Sequence, residues 1–437
     1  MHSSGRCRQI VDSHEKRWSS SEQRAMERAL GLLLSLLLLL TAVSAGFAAT
    51  KEKKHGRSQP SALQATASAN NKFSLSLYKL LNANSTEGSL VMSPVSLQLA
   101  LAMTYVGARG RTAEQMETVL HLPTDEDAVK TGFRQLLSSL KSSGSVSLEV
   151  ANRMYIQATF KVLKDFRRTV RKTFRSDTKE VNFVENHEKA RRIINNWVEK
   201  RTRHKIKQMI GPGTLNAMTR LILVNAVHFK ARWLQPFNSE DTEMGKFHIS
   251  RNEEVDVPMM HMKTFFSFKH SDSLGAKILE LQYEGDTVSM FILLPDDLEG
   301  IYNLERGLPA VDLSSTFKDM QPEELNITLP KFKIETSLDL KSNLMELGMK
   351  DMFLMESADF SGITGSPDLY VSDVLQKAFL EVTELGTEAG ASSAVVAEAR
   401  SWRPPPLEFV ADHPFLFIIW EKRLNTTLFM GRFLGPE

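Results

Sequence analysis

The chain has 437 residues, 42% hydrophobic and 24% charged, the balance of a soluble globular protein long enough for a large core. Its formal net charge of +2 excludes the broad basic surface that bulk nucleic-acid binding needs. The single cysteine, Cys7, excludes an intramolecular disulfide and any multi-thiolate metal site.

Residues 1–45 read as a leader with a secretory signal peptide. Arg24 and Arg28 precede an apolar run from Leu30 to Val43, and Val43-Ser44-Ala45 supplies the small residues of a cleavage site. The run is shorter than the roughly 20 residues of a membrane-spanning helix, so no membrane anchor is expected. Met26 is an alternative initiator, because the residues before it are polar and make an unusually long leading region. Loss of the leader would leave 48 basic and 48 acidic residues and no cysteine. Such a product is secreted and held by its core alone. Three N-x-[ST] sequons, at Asn84, Asn326 and Asn425, then become candidate glycan sites on exposed turns.

Residues 46–70 are rich in Ala, Ser, Lys and Gln and lack apolar periodicity, which predicts a flexible tail. From 71 to 437 no linker or repeat interrupts the chain, so one integrated domain is expected. Phe73, Leu77, Leu80 and Leu81 share a helical face, and Ser93-Pro94 opens a second helix through Leu97, Leu101 and Tyr105. Leu221–Phe229, Val288–Leu294 and Phe415–Trp420 have the branched and aromatic content of buried strands. Helices first and strands later, without strict alternation, predict an α+β fold with large mixed or antiparallel sheets.

Between the helical and strand regions lies a basic stripe. Arg167, Arg171 and Arg175 recur every four residues, joined by Arg168 and Lys172, while Leu163, Phe166, Val170 and Phe174 cover the other face. Two readings stand. The stripe is either a solvated helix face, the commoner case, or a site for a polyanion such as heparin.

Enzyme chemistry is not legible. The sequence has no G-x-S-x-G elbow, no H-E-x-x-H helix and no G-x-x-x-x-G-K-[ST] loop, and its histidines, His261 and His270 among them, are scattered. No catalytic residue, metal ligand or cofactor is nominated.

The segment from Glu384 to Pro406 carries the signal. Thr387, Ala389, Ala391, Ser393, Val395 and Ala397 alternate as small or apolar residues, and the acids Glu384, Glu388 and Glu398 occupy the opposite set. A strand with this parity could enter a sheet with one face on the core and its carboxylates in water. Further on, Arg400-Ser401 is a bond for a trypsin-like protease, whereas Arg403 is followed by Pro404 and is a poor one. Pro404-Pro405-Pro406 makes a stiff arm behind it.

These features occur within a sequence that resembles the serpin family along essentially all of 71–437. The resemblance rests on MSPVSLQLALAMTYVGARGRTAEQM (92–116), NAVHFKARWLQPF (225–237), LPKFKIETSLDLKSNLMELGMKDMF (329–353), ELGTEAGAS (384–392) and FVADHPFLFII (409–419), in the family's order. It implies helices around three β-sheets with an exposed reactive loop, in a monomer. By the same resemblance Glu384, Gly386, Thr387, Glu388, Ala389, Gly390 and Ala391 form the loop's hinge, and Arg400 precedes the scissile bond. Ser93, Pro94, Ser96 and Asn225 match the shutter beneath the main sheet, and Trp233 the top of its gap. Leu385 departs from the acid common in the hinge. Gln376 departs from a common histidine, which should make the shutter less sensitive to pH.

The implied activity is suicide inhibition of a trypsin-like serine protease. The protease would attack Arg400-Ser401, form an acyl-enzyme, and be dragged as the freed loop inserts as a strand. Thr387 to Arg400 is fourteen residues, a displacement of roughly 45 Å at about 3.3 Å per residue. The competing reading is a non-inhibitory member acting as carrier, storage protein or chaperone, which usually has bulky or charged hinge residues.

Overall fold

The computed structural model describes residues 60–84, 88–140, 146–387 and 406–436. The leader therefore lies outside the described residues.

The first helix, α1 (Ala62–Asn84), takes in the last nine residues of the expected tail, 62–70. A reciprocal capping box starts it: Ser61 N–H donates to Gln64 Oε1 at 3.0 Å and Gln64 N–H to Ser61 Oγ at 3.2 Å. Thr66, Ala67, Ala69 and Asn70 are buried, and Asn70 Nδ2 donates to Thr426 Oγ1 and the Thr427 carbonyl. Small residues make this turn look tail-like in sequence, but small residues let the helix sit close to the strand carrying Thr426 and Thr427.

After β1 (Leu90–Met92) comes α2 (Pro94–Tyr105), opened by Pro94 in the first turn. Every residue of α2 is buried, so it is a core helix without a polar face. Next come α3 (Gly110–Val119), α4 (Glu126–Leu140), β2 (Val146–Gln157), α5 (Lys164–Phe174), β3 (Asp177–Val181) and α6 (Phe183–Arg201). The remaining strands are β4 (Leu221–Arg232), β5 (Glu243–Ser250), β6 (Glu253–Ser271), β7 (Ala276–Gln282), β8 (Val288–Pro295), β9 (Gln321–Pro330), β10 (Phe332–Asp339), β11 (Val371–Thr383), β12 (Gly386–Thr387), β13 (Leu407–Val410), β14 (Phe415–Glu421) and β15 (Thr426–Phe433); helix α7 (Ile301–Gly307) follows β8. The α+β architecture expected from sequence is present, and the predicted strands correspond to β4, β8 and β14.

Among the described residues the strands form two hydrogen-bonded sheets where the resemblance implied three, because the long β6 pairs with both β7 and β9 and joins their strands into one sheet. One runs β1-β15-β14-β8-β7-β6-β9-β13, with β5 also on β6; the other runs β10-β11-β12-β4-β2-β3. The second sheet is covered on both faces, which explains the unbroken apolar run of β4. Leu221, Leu223, Val227, Phe229 and Ala231 join the main core, whereas Ile222, Val224 and Ala226 meet Ile194 and Val198 of α6.

Two sequence expectations change at the surface. Leu163 precedes α5 and is 40% exposed, so of the four apolar residues expected on that face Phe166, Val170 and Phe174 are buried, together with Thr173. Asn326 is not on a turn. It lies within β9, opposite Lys263 and Glu408, and its amide donates to the Glu408 carboxylate. Asn425 does lie on the turn between β14 and β15, with a left-handed φ of 55° and Nδ2 donating to Ser314 Oγ at 2.6 Å. Asn84 is the last residue of α1. His261 and His270 bond to Thr328 and Asp296, and no cluster of metal-binding side chains occurs among the described residues.

Candidate functional site

The two central strands of the six-stranded sheet make an unusual pair. β11 and β4 run parallel and are hydrogen-bonded from Val371/Leu221 to Phe379/His228. Above that point they part, and β12 enters between them, antiparallel to both. Thr387 pairs with Val382 on one side and Ala231 on the other. The sheet therefore already has a strand started in a cleft that closes below it.

The turn into the cleft is tightly specified. Thr383 Oγ1 donates to the Gly386 carbonyl at 2.9 Å. Gly386 has φ 132°, and a Cβ there would lie 2.3 Å from the Ala231 carbonyl oxygen, so only glycine fits both the conformation and the space. Trp233 braces this turn. Its Nε1 donates to the Thr383 carbonyl at 2.9 Å, and its backbone N–H to the Leu385 carbonyl. Its ring stacks on Tyr283 with centroids 4.4 Å apart.

Thr387 is fully buried on the inner face, its hydroxyl 2.8 Å from the Tyr283 hydroxyl. Burial pushes the Tyr283 hydroxyl pKa well up, and the bond to Thr387 offsets only part of that, so this contact is between neutral groups. Glu384 departs from the expectation of a carboxylate in water. It is 9% exposed, accepting from Lys331 Nζ at 2.9 Å and Thr242 Oγ1 at 3.0 Å. Burial raises its pKa, but the bonds from Lys331, its own backbone and Thr242 together hold it below the ordinary carboxylate value. The reason is geometric: the chain reverses at Leu385-Gly386, so Glu384 precedes the inserted strand and does not share its parity.

Beneath the cleft lies a buried polar cluster on the inner face. Gln376 of β11 accepts from Ser93 N–H at 3.0 Å and donates to the Ser93 carbonyl at 3.0 Å and Asn225 Oδ1 at 2.5 Å. Asn225 of β4 donates to Ser96 Oγ and Asn152 Oδ1, and Asn152 Nδ2 donates to the Ser96 carbonyl. Ser93 Oγ reaches the Leu428 carbonyl, and Pro94 fixes the start of α2 above it. The amide of Gln376 supplies donors and an acceptor at once, which a neutral imidazole cannot do for three such bonds. These bonds tie β11, β4 and β2 to α2 across the line where the sheet would have to open.

The structure thus brings together Ser93, Pro94, Ser96 and Asn225 at one level, and Glu384, Gly386, Thr387 and Trp233 at the level above. Asn152, Tyr283, Lys331 and Thr242 belong to the same constellation and were missed in sequence. An asparagine inside an apolar strand was a usable signal for Asn152; the other three had none. Glu388, Ala389, Gly390, Ala391, Arg400 and Ser401 lie outside the described residues.

A sheet with one strand begun and its remaining slot closed by a parallel pair is the arrangement that the family resemblance requires. The family model for serpin, serine protease inhibitor, matches residues 68–436. The chain belongs to the serpin family. It is 37% identical over 381 residues to the human leukocyte elastase inhibitor, covering 86% of this chain and all of that one. It is 41% identical to an uncharacterized serpin-like protein of Thermococcus kodakarensis, covering 88% of each. Among solved structures, a highly specific serpin of the insect Tenebrio molitor superposes with TM-score 0.78 at 34% identity, covering 85% of this chain and 98% of that one. Human thyroxine-binding globulin in complex with thyroxine superposes equally well, TM-score 0.78 at 28% identity, covering 86% and 99%. Serine protease inhibition, the role in the family's description, is a non-catalytic kind of function.

The basic stripe forms its own exposed feature. Arg167 pairs with Glu180, Arg168 with Asp165 at 3.2 Å and Arg171 with Asp177 at 3.2 Å. Arg175 caps α5 in a left-handed conformation and donates to the Leu137 carbonyl and Ser138 Oγ. Residues 161–181 hold eight basic and three acidic side chains, so an excess of positive charge remains after pairing.

Proposed function

We propose that this serpin is a secreted suicide inhibitor of serine proteases that cleave after arginine, with Arg400-Ser401 as bait. The observation that carries the reading is the antiparallel β12 started between β11 and β4. Continued insertion would exchange one parallel ladder for two antiparallel ones, a downhill step available only after the loop is cut. The protease would be held as an acyl-enzyme at Arg400 while the loop moves. The small residues from Ala389 to Ser393 support insertion over the carrier, storage or chaperone reading.

The test is incubation with trypsin and, separately, with an elastase, followed by a denaturing gel and mass analysis of the released fragment. A trypsin complex that survives denaturation and a fragment beginning at Ser401 are expected. Arg400→Ala should lower the rate of trypsin inhibition on the order of a thousandfold, because the acidic primary pocket loses its cation. A stable elastase complex cleaved within Ala391–Ala399, with trypsin unaffected, would move the bait and change the target class.

Secretion as a monomer, with glycans at one or more of Asn84, Asn326 and Asn425, belongs to this proposal. So does a polyanion such as heparin as accessory ligand of α5. Lys164, Arg167, Arg168, Arg171 and Lys172 line one shallow groove. Arg167, Arg168 and Arg171, three of these five cations, are paired with carboxylates, so binding should be weak and confined to low ionic strength. Replacing Lys164, Arg168, Arg171 and Lys172 by Ala, which spares the Arg167–Glu180 pair, should abolish retention on heparin. Equal elution of the variant and the native protein would leave α5 as a solvated face.

A further inference from the structure

The outer edge of β2 is only half covered. β2 pairs with β4 from Val146 to Ile156, but on its other side β3 begins to pair only at Arg153. The Asn152 carbonyl turns toward that side and accepts from Ser176 Oγ at 2.5 Å. The two-residue period of a strand turns the N–H and C=O of Leu148 and Val150 the same way, where no strand meets them among the described residues. A cavity of about 400 Å³ runs along this edge and is bounded by Ser176 and Asp177 at the start of β3.

The two walls of the cavity differ because they belong to opposite faces of the sheet. Leu148 and Val150 point to the inner face, where Leu99, Leu137, Leu140 and Phe174 complete an apolar wall. Arg153 shares the outer face with Ala151 and Tyr155. Its guanidinium lies over the Trp197 ring of α6, 4.2 Å from the centroid, and Arg201 follows one helical turn later. Arg153 Nε is buried without a hydrogen-bond partner, and neither Arg153 nor Arg201 has an ion pair among the described residues. Arg175, held by the neutral Leu137 carbonyl and Ser138 Oγ, adds a third positive charge. Two acids stand nearby and both are held: Asp177 pairs with Arg171 at 3.2 Å, and Glu149 with Arg203 at 2.5 Å.

We infer that this edge binds an extended acidic peptide as an added strand. Alternate side chains of a strand point to opposite faces, so a peptide on β2 places every second residue against the leucines and the residues between them beside Arg153 and Arg201. The two walls therefore select an alternation of apolar and acidic residues. The peptide main chain takes up the edge groups of Leu148 and Val150, which a small amphiphilic anion does not satisfy. This edge lies on the far side of β2 from the cleft between β4 and β11. Binding concerns the uncut protein and does not depend on which protease is trapped.

The test uses the full chain, labelled with nitrogen-15 at tryptophan, with no protease present. The probe is the peptide acetyl-Leu-Glu-Leu-Glu-Leu-amide. The Trp197 indole signal, assigned by Trp197→Phe, should shift saturably during titration. Binding should weaken about tenfold or more when lysines replace the glutamates, when the order is blocked as Leu-Leu-Leu-Glu-Glu, and in Arg201→Gln, an exposed position where the fold should survive. N-methylation of the leucine amides or, separately, of the glutamate amides tells a strand from a loosely held anion. One set faces β2 and should lose about tenfold in affinity, and the other faces away and should not. An unmoved Trp197 signal, equal binding of the lysine peptide, or unchanged affinity in Arg201→Gln overturns the site. Equal binding of the blocked peptide, or of both methylated peptides, makes the cavity a site for amphiphilic anions at large and overturns strand addition. The peptide comparisons on the native protein decide the matter even if Arg201→Gln folds poorly.

Discussion

Thr387→Arg is expected to turn the inhibitor into a substrate. Thr387 is fully buried between β11 and β4, against the Tyr283 hydroxyl, and Gly386 before it has no room for a side chain. A guanidinium in that space would be a buried charge without a counter-ion, at a cost of several kcal/mol even after relaxation. The hinge of the variant would be pushed out of the cleft before any protease arrives, and insertion would later meet the same penalty. An added barrier of about 3 kcal/mol slows insertion roughly a hundredfold, enough for the protease to complete hydrolysis first. Attack at Arg400-Ser401, the bait proposed above, should be unaffected, because that bond is unchanged. The expected result is cleavage at Arg400-Ser401, little or no complex on a denaturing gel and an active protease. Thr387→Val is the matched control. It keeps the shape and loses one hydroxyl contact, leaving the Tyr283 hydroxyl poorly satisfied at a cost of about 1–3 kcal/mol, but it should still form complex. A full yield of complex from Thr387→Arg would show that entry of this residue does not govern trapping.

The largest loss of stability is expected at a site remote from the loop. Arg432 of β15 is 1% exposed, with its guanidinium 3.3 Å from Glu305 Oε1 of α7 and its Nε donating to the Gly88 carbonyl. The Tyr78 hydroxyl donates to the same carboxylate at 3.1 Å. Burial pushes the Glu305 pKa up more than Arg432 and Tyr78 hold it down. The pair is therefore costly to keep and costlier to break. Glu305→Ala removes the counter-charge from a buried guanidinium and should cost about 3–5 kcal/mol, read as a lower midpoint in urea. Glu305→Gln keeps an acceptor for Tyr78 and should cost less. Because the folded pKa of Glu305 is raised, its contribution is fully present below its unfolded value and is lost as pH rises through the folded one. The penalty of Glu305→Gln should accordingly be largest at acid pH and shrink as pH rises through the folded pKa, because only the native protein loses that contribution. An alanine variant with an unchanged midpoint would mean that Arg432 is satisfied without Glu305.

Part of the site was legible from residue types and spacing. The Ser93-Pro94 helix start is a local pattern, and local patterns survive in a one-dimensional reading; the alternation beyond Thr387 and the Arg400-Ser401 bond lie outside the described residues. The same locality produced the errors. Residues 62–70 look like a tail because Ala and Ser carry no apolar period, yet those residues suit close packing on β15, and the Ser61/Gln64 capping box was the signal that went unused. Glu384 was assigned to water by strand parity, but the parity begins only after the turn at Gly386.

What the sequence determined by itself is therefore the family and the α+β class, because each depends on the order of several short runs of residues. What only the tertiary structure decided is which distant groups close the sheet. Gln376, Asn225, Asn152 and Ser93 come from four separate segments and meet only when β11 and β4 pair in parallel over α2. Tyr283 and Thr387 are 104 residues apart and share one buried bond. A buried polar atom must find its partner wherever the fold brings one, at any separation along the chain, so no pattern within a single segment could have named these pairs.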